Sequence, residues 1–112
     1  RIRRALARHL SRFLTRHYTE REQRECGHDP SRLATRWAAK EAAVKALGTG
    51  IGPVGWRDVE VLCEASGAPS LYLHGRATAV AAARGLDTWS VSLSHTADHA
   101  VAVVAAVGVS RR

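Results

Sequence analysis

The sequence predicts an α+β domain in which two long helices pack on an antiparallel sheet. Apolar residues recur at helical spacing over residues 1–17 and 31–47, and strict alternation replaces that spacing after Trp56 and again from Trp89. Nowhere do strand, helix and strand follow one another at the spacing of a parallel sheet. With 112 residues the chain is sized for one domain, 1–112, with one modest core.

The elements follow in order. At ~100° per residue, Ile2, Leu6, Leu10, Phe13 and Leu14 fall within one arc and face the core, while Arg4, Arg8, Arg12 and Arg16 form a stripe at i, i+4 spacing. Tyr18 to Pro30 is a polar stretch. Asp29-Pro30-Ser31 starts the second helix, with Asp29 or Ser31 as cap and Pro30 in the first turn, and the helix runs from about Ser31 to Leu47. Gly48-Thr49-Gly50 ends it, and Gly52, Pro53 and Gly55 prolong an irregular loop. These glycines follow a helix rather than a strand, which rejects a dinucleotide-binding fingerprint.

Val59, Val61 and Cys63 then alternate with Asp58, Glu60 and Leu62 as a half-buried strand. Gly67-Ala68-Pro69 turns the chain into a return strand over Ser70 to His74, and Gly75 to Gly85 is a short alanine-rich helix closed by glycine. A second hairpin pairs Trp89, Val91 and Leu93 with Ala100 to Val107 through a turn at His95 to Asp98.

An apolar fraction of 46% with 24% charged residues excludes intrinsic disorder, and no apolar run reaches the ~18 residues that cross a bilayer. Cys26 and Cys63, without a CxxC pair, make no disulfide framework, so a reducing, cytosolic setting is expected. The net charge of +7 is confined to one element: residues 1–17 hold six arginines and no acid, and the remainder balances 11 basic against 10 acidic side chains. The arginine stripe is therefore either a solvated face or a dock for an acidic partner, and four like charges at i, i+4 favour a partner that neutralises them. A small basic nucleic-acid-binding domain is the competing interpretation, but the charge lies on one helix without interleaved exposed aromatics.

Glu41 is the informative residue. On the second helix it falls in the arc of Leu33, Val44 and Trp37, which places a carboxylate on the face expected to be buried. Such an ion must hold a cation, be hydrogen-bonded or sit at a cleft. Lys45 at i+4 is one available cation, and Arg36 and Lys40 flank the same arc as a cationic margin. An acid, several cations and a glycine loop suit a phosphate ligand bridged by Mg²⁺, which prefers carboxylate and phosphate oxygens. Ser94-His95-Thr96 adds donors at a strand end, and His95 is either a turn residue or part of that site. His95 and His99 lack companion cysteines, which argues against zinc.

The run Arg36-Trp37-Ala38-Ala39-Lys40-Glu41-Ala42-Ala43-Val44-Lys45-Ala46-Leu47-Gly48-Thr49-Gly50-Ile51 closely resembles the signature of the small holo-(acyl-carrier-protein) synthases, which are 4′-phosphopantetheinyl transferases. Supporting pieces stand in family order: Phe13, Thr19 and Glu22, Trp56 to Val61, Gly67-Ala68-Pro69, Gly75, and Val91 to Thr96. The resemblance implies transfer of phosphopantetheine from coenzyme A to a serine of acyl carrier protein, with Mg²⁺ and release of adenosine 3′,5′-bisphosphate. It implies that Glu41 is a metal ligand, that Glu41 and Lys45 act in catalysis, and that Lys45 and His95 meet the pyrophosphate. Arg36, Lys40, Gly48, Thr49 and Gly50 would line the coenzyme site, and Arg4, Arg8, Arg12 and Arg16 would receive the carrier protein. It implies a homotrimer with active sites between subunits, and neither a nucleic-acid nor a membrane partner.

One departure stands out. The family pattern opens with a Gly-Ile-Asp strand whose aspartate is a second metal ligand, and no such aspartate precedes Arg1 here; a segment upstream is expected to carry it. Without it, a catalytically inactive carrier-protein binder is the alternative.

Overall fold

The computed structural model describes residues 2–49, 52, 54–96 and 98–108. Helix α1 spans Ile2–His17, α2 Glu20–Cys26 and α3 Pro30–Leu47; a 3-10 turn, Trp56–Asp58, leads into strand β1, Val59–Cys63, and β2, Pro69–Leu73. Helix α4, Gly75–Ala83, precedes β3, Thr88–His95, and β4, Ala100–Val107. The expected antiparallel sheet is divided in two, because each hairpin pairs only with itself: β1 with β2, and β3 with β4. Helix α3 bridges them, lying along the β3–β4 hairpin and against β1.

Local chemistry accounts for the helix ends. Asp29 caps α3, its Oδ1 accepting from Ser31 N at 2.9 Å and Arg32 N at 3.3 Å. Gly48 closes α3 in the left-handed region, φ +80°, where a side chain would be strained. Ala43, Val44 and Leu47 of α3 form the core with Val54, Val59, Ala77 and Ala81. On β3, Trp89, Val91 and Leu93 turn inward opposite Ala106, Val104 and Ala102.

Four expectations are corrected. The stretch Tyr18–Pro30 contains α2, built on a capping box: Thr19 Oγ1 accepts from Glu22 N at 3.1 Å, and Glu22 Oε1 accepts from Thr19 N at 2.9 Å. Strand β1 is not half-buried, since Val59, Glu60, Val61 and Leu62 are all buried and Cys63 is exposed. The cause is α2, which covers the second face and brings carboxylates to the unpaired edge of the strand. Glu22 accepts from Val61 N and Glu25 from Cys63 N, each at 2.9 Å, so side chains complete a ladder that no strand completes. On α1, Leu14 is buried, but Leu10 and Phe13 are 44% and 45% exposed rather than core residues. Phe13 instead stacks on His17 at 4.2 Å between ring centres, with Trp37 6.0 Å away. The side chains of Ile2 and Leu6 lie outside the described set.

The fourth correction concerns α3. Its buried residues are Thr35, Arg36, Ala39, Lys40, Ala43, Val44 and Leu47, a stripe about a quarter of a turn from the arc defined by Leu33 and Trp37. Ala39 and Ala43 are fully buried, small side chains that leave room for the backbone to approach its neighbours. Judging the buried face by its largest side chains therefore rotates the helix.

Candidate functional site

That rotation reverses the two central residues. Lys40, expected at the margin, is fully buried, and Glu41, expected inside, is exposed. The Lys40 ammonium donates to Glu22 Oε1 at 2.7 Å, Trp56 O at 2.9 Å and Val59 O at 2.6 Å. An ammonium has three hydrogens, and all three are used. Lys40 is therefore committed to the interior, and its ammonium has no hydrogen left to donate to a ligand as the side chain stands. Burial pushes its pKa down, against the upward pull of Glu22.

Glu60 sits nearby, with 2% of its surface exposed. It accepts from Arg21, from Thr19 Oγ1 and, at 3.0 Å, pairs with His74 Nε2. Burial opposes its ionisation, but the hydrogen bonds from Arg21, Thr19 and His74 prevail and hold its pKa at about 2.

Glu41 and Lys45 lie one turn apart on the outward side of α3, both exposed, and do not pair with each other. Among the described residues neither makes a hydrogen bond or ion pair. Gly48 is exposed and Thr49 half-buried beyond them; Gly50 lies outside the described residues.

Arg36 and His95 meet elsewhere, at a cavity of about 480 Å³ lined also by Glu25, Arg32, Thr35, Cys63, Gly67, Pro69 and Leu93. Arg36 is buried there, donating to Glu25 Oε1 at 3.4 Å and Cys63 Sγ at 2.9 Å. Its Nε is buried without a partner among the described residues. Arg32, Cys63 and Pro69 were not singled out by sequence. Arg32 lies one turn before Arg36 on α3, and Cys63 and Pro69 become its neighbours only when the β1–β2 hairpin folds back beside the start of that helix. His95 ends β3, and the following turn is closed by Thr96 Oγ1, which accepts from His99 N at 3.1 Å.

The structure thus divides the candidate residues into an exposed Glu41–Lys45–Gly48 row and an Arg36–His95 cavity. Arg4, Arg8, Arg12 and Arg16 are all exposed on α1, as their spacing implies.

A family description, the 4′-phosphopantetheinyl transferase superfamily, matches residues 1–104. The chain belongs to this superfamily. Among curated proteins it is similar to the holo-[acyl-carrier-protein] synthase of Gloeobacter violaceus, 49% identical over 96% of this chain and 85% of the relative. It is also similar to that of Herpetosiphon aurantiacus, 45% identical over 96% and 91%. The crystal structure of Helicobacter pylori holo-[acyl-carrier-protein] synthase in complex with coenzyme A superposes with a TM-score of 0.80 at 30% identity, covering 95% of this chain and 90% of that one. Within the superfamily the chain is of the holo-[acyl-carrier-protein] synthase type.

The donor set on α3 fits Mg²⁺ held by one protein carboxylate. Glu41 offers hard oxygens that no described side chain occupies, and this ion is commonly held by one or two carboxylates together with substrate phosphates. Among the described residues no cluster of three or more His, Cys, Asp or Glu side chains forms a self-sufficient metal cage, so phosphate oxygens and water would complete the shell.

Proposed function

We propose that the chain transfers the 4′-phosphopantetheine group of coenzyme A to a serine hydroxyl of acyl carrier protein. The serine oxygen forms a bond to phosphorus, the phosphoanhydride bond breaks, adenosine 3′,5′-bisphosphate leaves and the serine proton is released. Glu41 would hold Mg²⁺, which supplies neutralisation of charge on the pyrophosphate when bound. Lys45 adds a positive charge one turn away, and Arg36 and His95 hold the coenzyme at the cavity. The observation that carries this reading is the exposed Glu41, without a partner among the described residues, inside the run that resembles the family signature.

Two further features support the wider reading. Arg36 and Glu41 are separated by about 7.5 Å along α3 and by about 140° around it, so they serve different sides of one helix. A second copy that sets its cavity against Glu41 would unite them, as in a homotrimer with sites between subunits. The outward face of β4, where Val101, Val103 and Val107 are 56–63% exposed, is the apolar surface such an assembly would cover. The exposed arginine stripe of α1 is the dock for the acidic carrier protein rather than for nucleic acid. No helix among the described residues is long and apolar enough to cross a membrane, and we place the reaction in the cytoplasm.

Glu41→Gln tests the central claim. Mass analysis of the carrier protein is expected to show transfer slowed on the order of 100-fold or more. Transfer at the normal rate would remove Glu41 from the chemistry.

A further inference from the structure

Arg84 follows α4 and is exposed. Its guanidinium lies against Gly48: a Cβ on that glycine would stand 3.1 Å from Arg84 Nη1, 3.5 Å from Cζ and 3.9 Å from Nη2. The arginine thus occupies the space that a side chain at position 48 would take. Gly48, with φ +80°, can leave that space open.

The location matters because Glu41, Lys45 and Gly48 follow one another at i, i+4 and i+7 and share a face of α3. At ~1.5 Å per residue the row is about 10 Å long. Arg84 turns the gap at its end into a third charged position, so the row reads carboxylate, ammonium, guanidinium, all exposed. Among the described residues the Arg84 guanidinium has no acidic partner and no hydrogen bond. A cation there could simply complement the C-terminal end of the helix. The Val44 and Lys45 carbonyls, however, already accept from Gly48 N at 3.2 and 3.0 Å, and the guanidinium reaches neither.

We infer that Arg84 is a further coenzyme-binding residue, receiving a phosphate group of the coenzyme at the end of the Glu41–Lys45 row. The inference rests on the coenzyme reading given above. A planar guanidinium presents two parallel donors that match phosphate oxygens, which a lone ammonium does not. Coenzyme A offers two such groups, the pyrophosphate and the 3′-phosphate.

Titration calorimetry on the full chain decides the matter, with coenzyme A and 3′-dephospho-coenzyme A as ligands and Mg²⁺ present. Arg84→Gln is expected to weaken coenzyme A binding ~10–100-fold, the range of a hydrogen bond to a charged group, and Arg84→Lys to restore part of it. An equal loss for both ligands identifies the pyrophosphate as the group held, and a loss confined to coenzyme A identifies the 3′-phosphate. If a folded Arg84→Gln protein binds both ligands as tightly as wild type, the inference is overturned. If wild type binds neither, the coenzyme reading itself fails, a result distinct from the first.

Discussion

Behind β1 the Glu22–Lys40 pair is buried and matched, whereas on the outward side of α3 Glu41 and Lys45 stand in solvent without partners among the described residues. Lys40 and Glu41 mark the border. Glu22 and Lys40 are fully buried, and together their atoms satisfy the Thr19 and Val61 N–H groups and the Trp56 and Val59 carbonyls. Burial of an ion is tolerable only when its hydrogen-bonding capacity is used, so this cluster has nothing left to offer a substrate. Glu41 and Lys45 cost the fold little and keep their capacity. A charged motif conserves its chemistry for a ligand only where the fold leaves it wet, and adjacent residues of one motif can serve opposite ends.

The contrast breaks most sharply at Lys40. Lys40→Met keeps most of the stem and removes the ammonium, leaving Glu22 buried without its cation; unfolding in urea should show a loss of about 3–5 kcal/mol. A loss under ~1 kcal/mol would mean that the pair is not a structural unit. Glu60 comes next. Its pKa is about 2 in the fold against an ordinary 4.5, so between these values the unfolded chain binds more protons. Its contribution is complete above about pH 5 and is lost as pH falls toward 2, and stability measured against pH should fall less steeply across that window in Glu60→Gln. An unchanged slope would show that the Arg21, Thr19 and His74 bonds do not hold the ionised form.

Thr19→Ala removes a helix cap and one of the hydrogen bonds to Glu60, and should cost about 1–2 kcal/mol in the same denaturation assay. The smallest effect belongs to Glu41. Glu41→Gln should shift unfolding by no more than ~0.5 kcal/mol, as for an exposed site without contacts. A large loss of stability there would place Glu41 with the buried cluster and undo the comparison.

Much of the fold was legible because its signals are local. Asp29 before Pro30, Gly48 after Leu47 and the serine–apolar alternation of β3 each act within a few residues, and each element appears where those residues put it. The capping box of α2 was equally local: Thr19 and Glu22 have the spacing of that motif, but the polar composition from Tyr18 to Pro30 concealed a helix. The inward side of α3 was not legible. Trp37 drew the apolar arc toward itself, yet it is satisfied by aromatic neighbours, with the Trp56 ring centre 4.5 Å away, while Ala39 and Ala43 carry the close packing. In the candidate site, the residue types Glu41, Lys45, Arg36 and His95 were visible from the signature, but their partition into two places was not.

By itself the sequence determined where helices and strands begin and end, the arginine stripe of α1 and the charged α3 motif, because caps, turns and periodicity are written in neighbouring residues. Only the tertiary structure decided which of two adjacent charges enters the interior. That choice depends on the edge of β1, whose unpaired Val59 carbonyl and Val61 N–H lie 19 and 39 residues from the Lys40 and Glu22 side chains that satisfy them. A backbone edge that must find partners far along the chain leaves no local trace, and the side chain it recruits is lost to chemistry.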